Sequence, residues 1–566
     1  MYLNYKNFFN YIFKTYKYKT LKIFFISIIE TLLEVFSIAV LIGVLIATLG
    51  QGNEENELIK TLNNFTAFKS LKNANLFYLV ITIYLIKNVT LVVINWLKLD
   101  LCGQIYKGLS ESTYKILLKK NNLFFSNYSS GHLTQNVMGE SQFTKDVMMS
   151  FVTLFTEILI IVFMLLLIIS QKPFVGFFTV FCIIIASTFY YFFMKKKNIS
   201  LGERRQSSSI AIMNLLFQSI AAHKLIILRN KINYFLNKFT TQVDTIYKVS
   251  RDQGTIQYSA HLWLESCVLL ILIFSLAPLL SETSKLNQIA SEVILITIIS
   301  LRFIPSFSTI LNSYSTIQFG QKAVVNILEI LKSKDYIDDD KLTVENFSIN
   351  NLSLKSVSFK YDGNDNYILK DFNFTTKNCS LIGIRGKNGS GKSTLLNIIA
   401  GLIKPQSGQL ILNDVPVYEN SQLHFNWKKT IGYVDQKFFF TNDSILKNVA
   451  FGEDDSQINI EKVEECLEKV NLLSFFKTKK EGLNISIGEN GVKLSGGQLQ
   501  RLNIARALYS EPKILILDEA TNNLDTESQR DLLSLLIFLK KTSLIFIATH
   551  SDFILKDCDN VIYLNN

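Results

Sequence analysis

A nine-residue segment in the second half of the chain has the glycine spacing of a loop that wraps phosphate groups. The segment reads Gly386-Lys387-Asn388-Gly389-Ser390-Gly391-Lys392-Ser393-Thr394, and it follows an apolar stretch, Leu381–Ile384, that predicts a strand. Glycines let backbone N–H groups approach a polyphosphate, and the start of the following helix adds a favourable field. We expect Lys392 to reach the terminal phosphates and Ser393 to ligate Mg²⁺. A chance match is the alternative, and the other motifs of this half disfavour it.

A second apolar strand, Ile514–Leu517, ends in two adjacent carboxylates, Asp518 and Glu519. Asp518 is placed to organise Mg²⁺, and Glu519 is placed to orient and deprotonate an attacking water. The alternative for such a pair is an acidic helix cap, which is a weak interpretation beside a phosphate-binding loop.

A Ser-Gly-Gly turn lies between these two motifs, in the segment Leu494-Ser495-Gly496-Gly497-Gln498. Such a turn, at the start of a helix, offers backbone N–H groups and a hydroxyl to an anion. By itself it is usually only a turn. Beside a phosphate-binding loop it resembles the signature of ABC ATPases. Residues from about 352 to 566 therefore resemble an ABC nucleotide-binding domain, which has an α/β P-loop fold.

The resemblance implies further site residues that the sequence contains in the expected order. Tyr361 matches the aromatic residue that stacks on adenine, although a tyrosine on an edge strand is the alternative. Gln436 matches the glutamine that senses Mg²⁺ and water, and His550 matches the switch histidine that touches the γ-phosphate. Thr549 and Ser551 depart from the commoner Ala and Arg of exporters.

The resemblance also implies a dimer. Gly488–Gly491 resembles the exporter X-loop, and Asn522–Asp525 resembles the D-loop at the seam between subunits. In the family, the phosphate loop of one subunit and the signature of another enclose each ATP. Because Glu519 and His550 are both present, we expect a homodimer with two competent sites for ATP and Mg²⁺. A different partner chain in place of the second copy is left open.

The first half of the chain is predicted to be a membrane α-helical bundle. The whole sequence is 48% hydrophobic and only 19% charged, and its six apolar runs are long enough to cross about 30 Å of hydrocarbon. We divide the chain into a transmembrane domain (1–320), a linker (321–345) and a nucleotide-binding domain (346–566). The predicted spans lie at about 21–49, 74–96, 151–170, 174–194, 262–280 and 290–310.

Charge placement orients these spans, and the resemblance to ABC exporters implies a bacterial cytoplasmic (inner) membrane. Lysines and arginines follow the second and fourth spans, so both termini are predicted to be cytoplasmic. The same flanks account for the net charge of +11, and we find no nucleic-acid-binding motif. Two long cytoplasmic stretches have predicted tips near Asn122–Ser129 and Gln218–Ile226. We expect these tips to couple the membrane helices to the ATPase, and ordinary loops are the alternative.

Three basic residues, Lys87, His261 and Arg302, lie within or beside the predicted spans. Ionisable groups inside a membrane are costly and usually face a bundle interior or a water-filled cavity. These three could therefore contact a substrate, and the alternative is that they pair with Glu30, Glu34, Glu157 or Glu265.

Two segments resemble parts of bacterial ABC flippases for lipid-linked oligosaccharides. One is a predicted interfacial helix at Glu57–Phe68, and the other is the sequence Arg302-Phe303-Ile304-Pro305-Ser306. The resemblance implies an ATP-hydrolysing half-transporter that exports or flips an amphipathic, anionic, lipid-linked substrate engaged by Lys87, His261 and Arg302. An exporter of peptides, lipids or drugs is the nearest alternative. An ATP-gated channel or a non-transporting ABC regulator is an alternative of another class.

Overall fold

The structure is a computed structural model of the 566-residue chain. It describes residues 2–49, 73–171, 173–276, 286–333, 342, 347–361, 363, 366–377, 379–488, 491, 493–521 and 524–564. The chain divides into two compact units. The first contains Met1–Lys120 and Phe125–Lys334, and the second contains Asn121–Phe124 and Asp335–Asn566.

The described elements of the chain before residue 333 are all helical. They are α1 (Tyr2–Thr15), α2 (Lys17–Leu49), α3 (Asn73–Leu118), α4 (Asn122–Asn127), α5 (Ser130–Thr134), a π-helical turn (Gln135–Glu140), α6 (Ser141–Gln171), α7 (Pro173–Ala221), α8 (His223–Leu228), α9 (Ile232–Leu276), α10 (Leu286–Phe319) and α11 (Gln321–Lys332). The short helices α4 and α8 coincide with the two predicted cytoplasmic tips.

Three of the described helical segments are long and apolar enough to cross a membrane: Lys17–Leu41, Val80–Leu118 and Ser130–Leu166. They overlap the first three predicted spans. The predicted spans at 174–194, 262–280 and 290–310 fall on α7, α9 and α10, but many of their side chains, and residues 277–280, lie outside the described residues. The predicted interfacial helix Glu57–Phe68 also lies outside them. With 46 residues at 1.5 Å each, α3 is much longer than a bilayer is thick, so it extends beyond the membrane.

The beginning of the predicted linker is a helix of the first unit. Helix α11 occupies the first twelve residues of the stretch 321–345 and buries Ala323, Val324, Ile327 and Leu328 on one face. Val324 and Leu328 join the same apolar cluster as the amino-terminal helix α1. This spacing of apolar residues is that of a helix packed on a core. The structure therefore differs from the predicted domain boundary, because the two units divide after Lys334.

The second unit contains two sheets. The strands are β1 (Asn351–Phe359), β2 (Leu369–Lys377), β3 (Leu381–Gly386), β4 (Ser407–Leu412), β5 (Val415–Pro416), β6 (Ile431–Val434), β7 (Ile514–Asp518), β8 (Leu544–Ala548) and β9 (Asn560–Leu564). Strands β2-β1-β4-β5 form an antiparallel sheet, and β6-β7-β8-β3-β9 form a parallel sheet. Every residue of β7 and β8 is buried, as expected for central strands covered on both faces.

The helices of the second unit cover and connect these sheets. They are α12 (Lys392–Ile399), α13 (Ser421–Lys429), α14 (Ile445–Val449), α15 (Ile460–Lys469), α16 (Leu473–Lys477), a 3₁₀ turn (Gly482–Asn484), α17 (Gly496–Tyr509), α18 (Thr526–Leu539) and α19 (Asp552–Leu555). In the parallel sheet, the carboxyl ends of β3, β6, β7 and β8 lie at one edge. The residues that follow these strands are therefore brought together, as is usual for ligand sites of such sheets.

Candidate nucleotide site

The phosphate-binding loop joins β3 to α12 and depends on left-handed glycines. Gly389 has a φ of +85° and Gly391 a φ of +94°, and Gly391 caps the amino end of α12. A Cβ atom on Gly391 would lie 2.6 Å from Ile368 Cγ2, so the position is also sterically closed to a side chain. The Ser390 hydroxyl is buried and has no hydrogen-bond partner among the described residues. An oxygen of a bound phosphate would supply that partner.

Lys392 places a positive charge at the centre of this loop. Its side chain is only 4% exposed, and its Nζ donates a 2.9 Å hydrogen bond to the carbonyl oxygen of Gly386. The same Nζ lies 3.1 Å from His550 Nε2 and 3.5 Å from Glu519 Oε1. The structure thus brings together the ends of β3, β7 and β8, as the sequence predicted.

Glu519 lies at the centre of the predicted catalytic group. Gln436 Nε2 donates a 2.7 Å hydrogen bond to Glu519 Oε2, and His550 Nε2 lies 3.9 Å from Glu519 Oε1. The backbone of Glu519 has a φ of +52°, a conformation that costs a non-glycine residue about 1–3 kcal/mol. Its N–H donates to the carbonyl oxygen of Ala548, which holds this turn against β8. The three predicted catalytic residues therefore share one location.

The residues predicted to hold Mg²⁺ fit a divalent cation. Asp518 is 3% exposed, and its Oδ1 has no hydrogen-bond partner among the described residues. Burial raises the pKa of this carboxyl, a hydrogen bond from Ser393 lowers it, and the nearby Glu519 and Asp435 carboxylates raise it further. A cation would satisfy the buried oxygen and offset the clustered negative charge. One carboxylate, a hydroxyl and substrate phosphates are a typical Mg²⁺ ligand set. The Gln436 amide oxygen is the third predicted ligand.

A cavity of about 370 Å³ lies beside these residues, and Tyr361 forms part of its wall. The Tyr361 hydroxyl lies 3.2 Å from Thr394 Oγ1, and its ring packs edge-on against Phe359. Ile368, which is distant in the chain and belongs to no motif, also lines the cavity. The lining residues are Tyr361, Ile368, Lys387, Asn388, Gly389, Gly391, Lys392, Ser393, Thr394, Gln436 and Glu519.

The Ser-Gly-Gly segment begins a helix at another place in the same unit. Ser495 caps α17: its hydroxyl accepts a hydrogen bond from the Gln498 N–H, and the Gln498 side chain accepts one from the Ser495 N–H. Among the described residues, none of the four predicted signature residues, Ser495, Gly496, Gly497 and Gln498, lines the cavity of their own chain. Ser495 and Gly496 are exposed. This is the arrangement expected if a second copy supplies the signature.

The two residues that flank His550, Thr549 and Ser551, take part in hydrogen bonds that fix the turn carrying His550. Thr549 Oγ1 lies 2.8 Å from Thr521 Oγ1, and both residues are buried. The Thr549 hydroxyl also accepts a hydrogen bond from the Ser551 N–H at 3.0 Å. Thr521 is two residues after Glu519 and Thr549 directly precedes His550, so this contact ties the two catalytic turns together. The sequence contained both threonines, but no spacing rule indicated the contact.

Parts of the predicted X-loop and D-loop lie outside the described residues. These are Glu489 and Asn490 of the X-loop, and Asn522 and Asn523 of the D-loop. Asp525, the last D-loop residue, caps α18 by accepting a hydrogen bond from the Ser528 N–H.

Of the three predicted substrate residues of the first unit, the structure describes the side chains of Lys87 and His261. Lys87 Nζ lies 3.4 Å from Glu34 Oε2, and both side chains are largely buried, at 11% and 14% exposure. His261 lies on α9 and is partly buried, whereas the side chain of Arg302 lies outside the described residues. A second buried lysine, Lys98, pairs with Glu30 and donates to Thr156 Oγ1. Lys87 is therefore ion-paired in this structure, as the alternative for these basic residues predicted.

Residues 369–522 match the ABC transporter family. The second unit carries an ABC ATPase domain. The matched segment contains the phosphate-binding loop, Gln436, the signature and both carboxylates that follow β7. Two predicted site residues lie outside the match, Tyr361 on the amino-terminal side and His550 on the carboxy-terminal side.

The whole chain has the fold of an ABC exporter. A solved structure of a bacterial Atm1-family ABC exporter with ATP bound superposes with a TM-score of 0.80 at 18% identity, covering 98% of this chain and 94% of that one. The predicted architecture, a helical membrane domain fused to an ABC ATPase domain, is therefore confirmed, and the chain is a membrane-embedded protein.

The sequence is also similar to ATP-dependent lipid A-core flippases. It is 36% identical over 237 residues to that of Pseudomonas aeruginosa, which covers 42% of this chain and 38% of the relative. It is 29% identical over 333 residues to that of Yersinia pestis, which covers 58% and 56%. The chain thus spans about two fifths to just over half of the length of these relatives.

Proposed function

We propose that this chain is one half of an ATP-driven exporter and that it hydrolyses ATP to move an amphipathic substrate across the bacterial cytoplasmic membrane. The observation that carries the proposal is the convergence of Lys392, Gln436, Glu519 and His550 at one edge of the parallel sheet. The buried ammonium group of Lys392 can bind the phosphates, and the Glu519 carboxylate can orient the attacking water. The amide and the histidine place two further polar groups beside them.

Each chain residue has a distinct role in this proposal. Lys392 and the loop N–H groups bind and orient the phosphates, while Glu519 orients the attacking water and accepts its proton. Ser393, Asp518 and Gln436 would hold Mg²⁺, which would neutralise charge that develops on the phosphate oxygens. Tyr361 provides a surface for the adenine ring, and His550 contacts the γ-phosphate.

We infer that the working unit is a homodimer. Ser495–Gln498 lies away from the cavity of its own chain, and its hydroxyl and N–H groups at the start of a 14-residue helix suit an anion. A second copy would place this segment over the nucleotide and complete the site. A monomer with full ATPase activity would contradict the dimer.

For the substrate we propose a lipid that carries an anionic saccharide group. The relatives that bear the name lipid A-core flippase support lipid flipping, and the sequence segments that resemble oligosaccharide flippases support a lipid-linked oligosaccharide. Basic residues of the membrane unit would engage the phosphate groups of such a lipid. Lys87, His261 and Arg302 remain the proposed candidates, and the ion pair of Lys87 with Glu34 makes its role a specific question.

Reconstituted vesicles test the function. Purified protein in proteoliposomes receives ATP and Mg²⁺, and the accessibility of a fluorescent lipid-linked oligosaccharide, a fluorescent lipid A-core and a fluorescent phosphatidylcholine is followed in separate samples. We expect ATP-dependent flipping of one of the anionic glycolipids and none of phosphatidylcholine. The variant Glu519→Gln is the matched control, since it keeps the fold and should flip nothing.

The alternatives give different results in the same vesicles. A peptide or drug exporter would leave all the lipids in place but show ATPase stimulation by its own substrate. A channel or a regulator would hydrolyse ATP without stimulation by any transported molecule. Absence of ATP hydrolysis in the wild-type protein would overturn the proposal as a whole.

A further inference from the structure

The first unit contains an apolar cavity that the proposed export reaction does not use. It has a volume of about 250 Å³ and lies between α1, α2 and α6. The lining residues are Phe9, Ile12, Phe13, Thr20, Ile23, Phe24, Met148, Phe151, Val152, Leu154, Phe155 and Ile158. An apolar cavity of about 150 Å³ is already large enough to bind benzene. This cavity therefore has room for a longer hydrocarbon segment.

Aromatic pairs join the three helices around this cavity. Phe9 on α1 packs edge-on against Phe151 on α6, with ring centroids 4.6 Å apart. Phe24 on α2 packs edge-on against Phe155 on α6 at 5.0 Å, and Phe13 stacks on Phe24 at 6.0 Å. Such pairs stabilise a contact beyond the area that they bury. The walls are thus held by specific contacts among all three helices.

The cavity offers a ligand no unsatisfied polar group among its described lining residues. Thr20 is the polar member of the lining, and its hydroxyl donates a 2.9 Å hydrogen bond to the carbonyl oxygen of Lys17. Water needs two to four polar partners to occupy a cavity, so this one suits a hydrocarbon.

The cavity lies where two predicted spans begin on the cytoplasmic side. The first span begins near residue 21 and the third near residue 151, and the lining includes Ile23 and Phe24 of one and Phe151 and Phe155 of the other. On the predicted topology, this level is the boundary between lipid headgroups and acyl chains of the inner leaflet, where membrane lipid supplies hydrocarbon.

The surface beside the cavity is strongly basic. The first 29 residues contain five lysines and no acidic residue. Lys6, Lys14, Lys17 and Lys22 are exposed, and Lys14 and Lys17 stand on either side of the break between α1 and α2. On the neighbouring helices, Glu30, Asp146 and Glu111 each lie beside a lysine of their own: Lys98, Lys145 and Lys107. The exposed lysines of the α1–α2 break can therefore bind an anionic headgroup.

We propose that this cavity binds one acyl chain of an anionic phospholipid whose phosphate contacts the lysines at the α1–α2 break. An apolar wall gives little preference over bulk lipid, because lipid tails are as apolar as the side chains. The preference comes from charge, and each lysine near an anionic lipid surface contributes about a fivefold effect. The bound lipid is a resident ligand at the inner leaflet and is distinct from the transported substrate.

Photo-crosslinking tests this site. The purified protein is placed in phosphatidylcholine nanodiscs with a small fraction of either phosphatidylglycerol or phosphatidylcholine that carries a diazirine in the first half of one acyl chain, near the glycerol. After illumination, labelled peptides are identified by mass spectrometry. We expect labelling within residues 9–24 and 148–158, stronger for phosphatidylglycerol by about fivefold or more.

Two variants separate the cavity from the charge. Val152→Trp fills the cavity and should abolish labelling by both lipids in these segments. The double variant Lys14→Gln with Lys17→Gln changes exposed residues only, and should lower phosphatidylglycerol labelling to the phosphatidylcholine level. Lys224→Gln with Lys231→Gln removes the same charge from exposed positions on α8 and before α9, and should change nothing.

The proposal is overturned if both lipids label these segments equally in the wild-type protein, or if labelling is spread over all membrane helices. The measurement is made without nucleotide and is repeated with Glu519→Gln. A failure of the proposed transport function therefore leaves this result unaffected, and a failure here leaves the transport function unaffected.

Discussion

The side-chain amide of Gln436 donates a 2.7 Å hydrogen bond to the carboxylate of Glu519. The two residues follow neighbouring parallel strands, β6 and β7, so the sheet register holds them side by side. The amide nitrogen faces the predicted base, which leaves the amide oxygen for the metal. A displacement of Gln436 would therefore disturb both the binding of the metal and the position of the water that Glu519 activates.

Replacing Glu519 with Gln should abolish turnover while leaving nucleotide bound. The amide keeps the size of the side chain but cannot accept a proton, and a general base contributes about 10²–10⁴-fold to rate. Steady-state ATPase activity and retention of radiolabelled ATP on the purified variant measure the two effects. Glu468→Gln, the same change at an exposed position of α15 outside the cavity, is the comparison. Normal turnover by Glu519→Gln would remove the assigned role.

The contact between Thr549 and Thr521 should control how His550 is positioned. Thr549→Ala leaves a buried hydroxyl without its partner, at a cost of about 1–3 kcal/mol in unfolding free energy. We expect kcat for ATP hydrolysis to fall several-fold with little change in KM.

Conservative variants distinguish this positioning role from a loss of stability. Thr549→Ser keeps the hydroxyl and should retain most activity. Thr549→Val with Thr521→Val removes both polar groups, so thermal stability should recover while kcat stays low. If kcat recovers together with stability in the double variant, the threonine pair does not position His550.

Gly391→Ala should weaken nucleotide binding about tenfold or more. The φ of +94° costs a residue with a Cβ about 1–2 kcal/mol, and the new methyl group would collide with Ile368 at the cavity wall. Gly452→Ala is a matched control, because that glycine has a φ of +85° but open space around its Cβ position. Calorimetric titration with ATP compares the two. Equal affinities in both variants would show that the loop does not need Gly391.

The nucleotide-site residues that the sequence indicates belong to local motifs. Gly391 and Lys392 lie in one loop, and Asp518 and Glu519 end one strand, so spacing alone indicates their roles. Contacts between distant segments, such as Ile368 with Gly391, depend on strand order and carry no local signal. The helix that begins the predicted linker was missed for another reason. Its apolar face, including Val324, has meaning only once the partner helices are known.

Arg205 and Glu140 form a buried ion pair that should be essential for the stability of the membrane unit. Their atoms are 3.0 Å apart, and the side chains are 6% and 0% exposed. Burial lowers the pKa of Arg205, the nearby Glu140 charge raises it, and Phe143 stacks under the guanidinium. Arg205→Ala leaves a buried carboxylate, at a cost of about 3–5 kcal/mol. We expect a markedly lower apparent Tm in detergent.

Removal of both charges should be much less harmful than removal of one. Arg205→Met with Glu140→Leu replaces the pair by apolar groups and should recover most of the apparent Tm. The exposed pair Lys107 and Glu111 serves as a control, because loss of a surface ion pair costs only about 0–1 kcal/mol. An apparent Tm of Arg205→Ala that matches the Lys107→Ala value would contradict a structural role for the buried pair.

Exchange of Lys87 and Glu34 should separate a structural role from a substrate role. Lys87→Ala alone removes the positive charge 3.4 Å from Glu34 and is expected to lower both protein yield and transport. The double variant Lys87→Glu with Glu34→Lys restores an ion pair between the same two helices, so yield and apparent Tm should return.

If Lys87 contacts the phosphate of the substrate, flipping in proteoliposomes and substrate-stimulated ATPase activity should stay low, because the positive charge has moved to α2. Basal ATPase activity reports on the nucleotide site and should remain unchanged. Full recovery of flipping by the exchanged pair would show that Lys87 acts only through Glu34, and the substrate contact would then have to be sought elsewhere in the membrane unit.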